Sequence, residues 1–127
     1  QPWCGEPDAE AIEATTGVTC STVWDGDLFR LGDVKLDVIG IVGHTRGSIA
    51  LRLQGNPSDH VLTGDSLFPG GVGKTSGSRE FESLYTDICM KIFAPMSDTT
   101  VIHPGHGDAT TVGEERPNLP LWRARGW

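Results

Sequence analysis

The stretch Leu62-Thr63-Gly64-Asp65-Ser66-Leu67-Phe68 carries strand-like apolar residues into a glycine and then a single carboxylate. Together with His60 and Val61, its first residues predict a strand that ends at Gly64. Asp65 would then enter a loop immediately beyond the strand. The other informative stretches of the chain lead into the same kind of turn.

Two histidine motifs repeat that pattern, Gly43-His44-Thr45-Arg46-Gly47-Ser48 upstream and His103-Pro104-Gly105-His106-Gly107-Asp108 downstream. Each follows a predicted strand, and each histidine that comes after the strand has glycine neighbours. Strands placed side by side would bring His44, Asp65 and His106 to one rim of a sheet, where glycines let backbone and ion approach closely. Imidazole and carboxylate ligands suit Zn²⁺, with Fe and Mn as alternatives. The three residues are therefore predicted to form one metal-binding constellation.

The two remaining histidines lack these features. His60 begins a strand and has no glycine neighbour. His103 is three residues before His106, but Pro104 and Gly105 exclude the helix that a His-x-x-His pair would need. Neither is expected to be a ligand.

The composition predicts one globular domain spanning residues 1–127. Apolar residues make up 37% and charged residues 21% of the chain, which argues against disorder. The formal net charge of −7 opposes binding to nucleic acid or to an anionic membrane, because both would repel it. A small-molecule partner is expected.

The cysteines indicate a reducing compartment. The chain has three cysteines, Cys4, Cys20 and Cys89. Because their number is odd and no two of them form a Cys-x-x-Cys pair, neither a disulfide framework nor a thiolate zinc site is indicated. No apolar stretch approaches the ~20 residues of a membrane helix, and no signal-peptide pattern opens the chain. A cytoplasmic protein is expected. The chain begins with Gln, which favours a preceding segment that is missing here.

Periodicity and turn residues predict a mixed α/β chain with a mostly antiparallel sheet. The first five residues are expected to be a fraying end. Period-two alternation predicts three antiparallel strands between Thr22 and Val42, the last of them 36–42. The other predicted elements are a helix over 7–14 that stops at Gly17, strands at 48–53, 60–63 and 99–102, a helix capped by Ser78 that ends before Pro95, and a short helix near 110–116 before a Pro-punctuated tail with Trp122.

The glycine-rich loop 69–77 raises a different possibility, a phosphate loop ending in Gly73-Lys74-Thr75. That motif needs a glycine where this chain has Phe68, and it should run directly into a helix. A nucleotide-binding module is therefore the weakest of the functional hypotheses.

The three motifs, in this order and at these separations, resemble the second half of the metallo-β-lactamase-fold hydrolases, and most closely the glyoxalase II-like branch. The tail from Thr110 to Asn118 resembles the same branch. The resemblance covers about residues 27–118. It implies half of a four-layer αββα sandwich, an α/β fold of the α+β type with a mixed sheet and flanking helices.

The resemblance also implies a dinuclear zinc site. His44 would complete the first zinc site, His106 would complete the second, and Asp65 would bridge both ions and serve as a catalytic residue. Members of the family hydrolyse substrates with a metal-bound hydroxide. An Asp at position 65, where many β-lactamases of this fold have Cys, points to ester or thioester substrates.

The chain departs from the family in three ways. The glutathione-binding helical extension of glyoxalase II is absent, which argues against hydroxyacylglutathione as the substrate. The first-half motif His-x-His-x-Asp-His, which supplies the remaining ligands, occurs nowhere, so the amino-terminal half is missing and this chain alone is expected to be inactive and to bind no complete metal pair. Arg46 replaces a residue that is commonly Pro. With Lys74 and Arg79 in the glycine-rich loop, Arg46 is a candidate contact for an anionic substrate.

A non-catalytic role is the alternative. Half of an αββα sandwich would leave the inner face of its sheet bare, a larger apolar area than monomers normally expose. The chain would then self-associate, or pair with the missing half or another partner.

Overall fold

A six-stranded mixed sheet forms the centre of the computed structural model, which describes residues 1–127. Its strands, from one edge to the other, are β10 (Thr110–Thr111), β9 (Val101–Pro104), β6 (His60–Gly64), β5 (Ile49–Leu53), β4 (Val34–Gly40) and β3 (Leu28–Leu31). All neighbours are antiparallel except β6 and β9, which run parallel. The predicted α/β class with a mostly antiparallel sheet is confirmed.

Two small ribbons and four helices surround this sheet. One ribbon pairs β1 (Trp3–Gly5) with β2 (Ser21–Val23) in parallel, and the other pairs β7 (Leu67–Phe68) with β8 (Gly71–Val72). The helices are α1 (Ala9–Thr16), α2 (Ser78–Ile88), α3 (Val112–Glu115) and α4 (Leu119–Arg125). Single turns of 3₁₀ helix cover Glu6–Asp8 and Arg116–Asn118, and a π-helical turn, Cys89–Phe93, extends α2.

One face of the sheet packs against α2 to form the core. The helix buries the face on which its apolar residues recur at helical spacing, and the cluster continues into the sheet and to α4. Its members include Ala50, Val61, Ile102, Phe81, Leu84, Tyr85, Ile88, Ile92 and Trp122. Helix α2 is thus the crossover that joins two parallel strands over a shared core.

The opposite face of the sheet is covered at one end only. Trp3 of β1 packs edge-on against Phe29, with 5.3 Å between ring centroids, and Phe29 lies opposite Leu36. Across the next strands of the sheet, from β4 to β9, the strand register pairs Val38 with Leu51, Leu51 with Leu62, and Leu62 with His103. Val38 is buried, whereas Leu62 is 45% exposed. We call the uncovered part, formed by Leu51, Leu53, His60, Leu62, Val101 and His103, the open face.

The turn that leads into β6 is fixed by charge-assisted hydrogen bonds. Arg52 donates to Asp59 Oδ2 from Nη2 at 2.6 Å and from Nε at 3.1 Å, and the Gly55 amide donates to Asp59 Oδ1 at 3.1 Å. These bonds, chiefly those from Arg52, hold the pKa of Asp59 below its ordinary value. The start of β6, the strand that leads to Asp65, is therefore held in place.

The amino-terminal prediction is wrong in two respects. Residues 3–5 form strand β1, and the first of the three strands expected between Thr22 and Val42 is β2, which pairs in parallel with β1. The Ser21 amide donates to the Pro2 carbonyl at 2.9 Å. This pairing spans the whole of α1, so local periodicity does not reveal it.

Other boundaries differ by smaller amounts. Strand β4 ends at Gly40, β9 begins at Val101, and Gly77, without a side-chain hydrogen bond, occupies the N-cap position predicted for Ser78. The predicted loop 69–77 contains strand β8, and β10 forms where the tail helix was expected to begin. None of the helices is long and apolar enough to cross a membrane.

Candidate functional site

Asp65 lies just beyond the end of β6, where Gly64 turns the chain. Gly64 has a φ of 54°, in the left-handed region that a glycine adopts without the steric cost of a Cβ. The turn lifts Asp65 out of the strand and leaves its side chain 50% exposed. Its carboxylate can therefore contact groups from neighbouring loops.

His106 reaches Asp65 from the loop after β9. Because β6 and β9 are parallel neighbours, their carboxyl ends lie at the same edge of the sheet. The Gly105 amide donates to the Gly64 carbonyl at 2.7 Å, which ties the two loops together. His106 Nδ1 lies 3.1 Å from Asp65 Oδ1, and the imidazole is 83% exposed.

His44 approaches the other carboxylate oxygen from the loop between β4 and β5. Its Nε2 lies 3.8 Å from Asp65 Oδ2, and its Nδ1 lies 2.7 Å from the Lys74 carbonyl oxygen. A carbonyl oxygen only accepts, so Nδ1 carries a proton, and in the neutral ring Nε2 would present its lone pair towards Asp65. Histidines that bind metals are commonly oriented in this way, by a hydrogen bond on the second ring nitrogen.

Two glycines make room for these side chains. A Cβ on Gly73 would overlap the Asp65 carbonyl oxygen and lie 3.1 Å from His44 Cβ. A Cβ on Gly105 would lie 3.0 Å from Asp65 Oδ1. The Gly73 amide donates to the Ser66 carbonyl at 3.0 Å, so the β7–β8 ribbon folds back under the site.

The structure brings His44, Asp65 and His106 to one edge, but it does not assemble a metal site. Both short distances run through Asp65, and no group of three or more His, Cys, Asp or Glu side chains is placed to hold a metal ion. The donor atoms are of the kinds that Zn²⁺ and iron bind, and the glycine cradle is present. The donor set fits a metal in its chemistry and falls short in number, so the role of these residues as ligands stays a prediction.

Two of the three predicted substrate contacts lie beside His44. Arg46 and Arg79 line one cavity of about 560 Å³ that also includes His44. Lys74 lines a neighbouring cavity with Phe68 and Trp127, and its carbonyl orients His44. Contact with a substrate stays a prediction for all three.

The other two histidines form a pair that the sequence does not reveal. His60 Nδ1 and His103 Nε2 are 2.9 Å apart, and the rings stack with centroids 5.2 Å apart. The pair lies on the open face, on the neighbouring strands β6 and β9. Only the register of the two strands, which places Val101 opposite His60, brings the rings together.

Sequence relatives include named metallo-hydrolases. The chain is 43% identical over 100 residues to an uncharacterised protein of Mycobacterium leprae, covering 76% of this chain and 44% of that protein. It is 31% identical to the hydroxyacylglutathione hydrolase GloC of Haemophilus influenzae (80% and 47% covered) and 34% identical to the probable metallo-hydrolase YqgX of Bacillus subtilis (76% and 44%). The chain thus spans a little under half of each.

A shorter relative matches over most of its length. An uncharacterised 11.5 kDa protein of Rhodococcus erythropolis is 34% identical over 98 residues, which cover 70% of this chain and 91% of that protein. No established protein-family model matches the chain.

Solved structures share the fold. The BLEG-1 B3 metallo-β-lactamase superposes with a TM-score of 0.73 at 23% identity, covering 94% of this chain and 63% of that one. ETHE1 from Myxococcus xanthus gives 0.69 at 27% identity (89% and 55% covered). TTHA1623, solved in a di-iron-bound form, gives 0.70 at 23% identity (94% and 64%).

Replacing Gly73 with Ala should disturb the site and the fold together. The new Cβ would meet backbone at Asp65, so the β8 segment must shift, at a cost of about 1–3 kcal/mol of unfolding free energy. Chemical denaturation measures that cost, and the Nδ1–H resonance of His44 reports whether its bond to Lys74 survives. Gly77→Ala is the matched control, because a Cβ there meets only the end of the Glu80 side chain. Equal behaviour of the two variants would contradict the close packing described for Gly73.

Proposed function

Because this chain belongs to the metallo-β-lactamase-fold superfamily, we propose that it is the C-terminal part of a metal-dependent hydrolase that cleaves ester or thioester bonds in a small-molecule substrate. The relatives named as hydrolases support the reaction type. Asp65 in the position where many β-lactamases of this fold have Cys supports an ester or thioester over a lactam. The proposal includes membership of this hydrolase in the glyoxalase II-like branch.

The observation that carries the proposal is the placement of Asp65 between two imidazoles. Oδ1 faces His106 and Oδ2 faces His44. Asp65 thus presents a different oxygen to each of two potential ligands. In this proposal His44 would hold one ion, His106 would hold the other, and Asp65 would contact both.

The donor types suit zinc, and the di-iron form of TTHA1623 keeps iron as an alternative. When bound, such ions lower the pKa of a coordinated water and polarise the carbonyl of the substrate. The chain's own contribution is orientation: the Lys74 carbonyl fixes the His44 ring, and Gly64 and Gly105 fix the direction of Asp65 and His106. Preorganised ligands of this kind need little rearrangement on binding.

The remaining ligands would come from an amino-terminal half outside residues 1–127. Three donors are too few for two ions, and the motif His-x-His-x-Asp-His is absent from the chain. The open face supports this proposal, since Leu62 is 45% exposed in the middle of the sheet. A second sheet packed there would cover Leu62 and bring its loops to the same edge as Asp65.

A chimera tests the proposal. The part of GloC that this chain matches would be replaced by the chain itself, so that the rest of GloC supplies the other half. The chimera should hydrolyse a hydroxyacylglutathione, and Asp65→Asn should lower kcat/KM by more than the ~10–100-fold typical of residues that only orient a ligand. Steady-state kinetics and metal content by mass spectrometry are the measurements.

Asp33→Asn is the control in the chimera, because Asp33 is exposed and makes no hydrogen bond or ion pair. A folded, metal-loaded chimera in which Asp65→Asn and Asp33→Asn are equally active would contradict the proposed role of Asp65. If the chimera does not fold, zinc binding to the 127-residue chain by equilibrium dialysis gives a second comparison of the same two variants.

A non-catalytic half-domain is the second candidate, and the open face favours it. With no group of three ligands assembled and Leu62 exposed, the chain has a surface suited to self-association and an incomplete metal site. A second copy or a partner packed on this face would bury the apolar row from Leu51 to Leu62.

The isolated chain should therefore self-associate through the open face. Sedimentation velocity should show dimers or larger species, and Leu62→Lys should shift them towards monomer because it places a charge in the contact. Met90→Lys is the control, since Met90 is 68% exposed in the π-helical turn that follows α2. A wild-type chain that sediments as a monomer and binds no hydrophobic dye would exclude this behaviour.

A further inference from the structure

Two cations that form no ion pair lie beside His44. Of the ten lysines and arginines, four form ion pairs with carboxylates: Arg52, Lys91, Arg116 and Arg123. Arg46 and Arg79 are exposed, and their guanidinium groups make no ion pair or hydrogen bond. Arg30 is likewise exposed and unpaired, but it lies on β3 at the far edge of the sheet, whereas Arg46 and Arg79 lie together beside the candidate site.

Both guanidinium groups border the same cavity. It has a volume of about 560 Å³ and is lined by Arg46, Arg79, His44, Glu80 and a few small polar residues. Volumes of about 300–1,000 Å³ are typical of small-molecule sites. With Glu80 as the one carboxylate in the lining, the two arginines leave the cavity with a formal charge of +1 when His44 is neutral.

The turn that carries Arg46 is fixed by hydrogen bonds to the Asp8 carboxylate. Asp8 accepts from Thr45 Oγ1 at 2.6 Å and from the Gly47 amide at 2.8 Å, on either side of Arg46. A Cβ on Gly47 would lie 2.5 Å from the Asp8 amide nitrogen, so this turn is packed tightly against the chain. Arg79 lies in the first turn of α2, which is anchored in the core by Phe81, Leu84, Tyr85 and Ile88. The backbone is therefore held in place at both Arg46 and Arg79, and each residue presents a guanidinium group that makes no ion pair or hydrogen bond.

We propose that this cavity is the subsite for an anionic group of the substrate, a carboxylate or a phosphate, that lies next to the ester or thioester at Asp65. The proposal rests on the proposed hydrolase function for its position beside the reacting bond. Guanidinium groups suit it, because their planar forks match carboxylate and phosphate oxygens in paired hydrogen bonds. Arg46 and Arg79 would be specificity-determining residues, and His44 marks the side of the cavity nearest the bond that is cleaved.

Binding of simple anions to the metal-free 127-residue chain tests the proposal. Glutarate and inorganic phosphate are titrated separately into ¹⁵N-labelled protein, with glutaramide as the uncharged counterpart of glutarate. The Nε–H resonances of Arg46 and Arg79 should shift with at least one anion and not with glutaramide. Arg46→Gln and Arg79→Gln should each weaken that binding at least fivefold. Arg30→Gln, an exposed and unpaired arginine on β3, should leave it unchanged.

The two anions distinguish the chemistry. Binding of glutarate indicates a carboxylate in the substrate, and binding of phosphate alone indicates a phosphate. Arg46→Lys and Arg79→Lys keep the charge but lose the fork, so they should weaken binding less than the Gln variants. Circular dichroism of all variants checks that the fold is retained.

Absence of binding by both anions, or equal affinity in Arg46→Gln, Arg79→Gln and Arg30→Gln, would overturn the proposal. Its failure is separable from that of the hydrolase proposal, because anion binding is measured in the metal-free chain and hydrolysis is measured in the chimera. A folded, metal-loaded chimera that is inactive, together with retained glutarate binding, would overturn the hydrolase and leave the anion subsite. An active chimera whose rate is unaffected by either Gln variant would overturn the subsite alone.

Discussion

The parallel pairing of β6 with β9 is the constraint on which the site depends. Parallel neighbours end at the same edge of a sheet, and here one strand ends at Gly64 and the other at Pro104. The residues that follow, Asp65 and His106, are thereby brought within 3.1 Å although they are 41 positions apart in sequence. The short bond from the Gly105 amide to the Gly64 carbonyl closes the edge. An antiparallel pairing would have sent the two loops to opposite ends.

The same pairing requires a crossover, and the crossover builds the core. The chain leaves β6, forms the β7–β8 ribbon, and returns through α2 to β9. On the way Gly73 passes so close to Asp65 that it has no room for a side chain, and Lys74 presents its carbonyl to His44. The connection thus orients one histidine while its helix buries one face of the sheet. The other face carries an apolar row that includes Leu51 and Leu62, and Leu62 is 45% exposed there.

The sequence predicts the parts of this arrangement that depend on local signals. The offsets of three, four, seven and eleven from Phe81 to Ile92 suffice to identify the buried face of α2, and all of those residues are in the core. Glycine next to His44, Asp65 and His106 suffices to place the three residues in loops beyond strands. Features that depend on contacts between distant segments are not visible in the sequence: the parallel pairing of β1 with β2, the stacking of His60 on His103, and the close approach of Gly73 to Asp65. Each of these needs the register of two strands or the path of a crossover.

The central claim is that His44, Asp65 and His106 contribute to a single metal centre. Crystals of the chain soaked at a zinc concentration high enough to fill weak sites, with anomalous differences measured at the zinc absorption edge, test it most directly. The strongest peak should lie about 2.0–2.2 Å from a carboxylate oxygen of Asp65, within reach of His44 Nε2 or the His106 imidazole. A strongest peak at the His60–His103 pair, or no peak at Asp65, would contradict it.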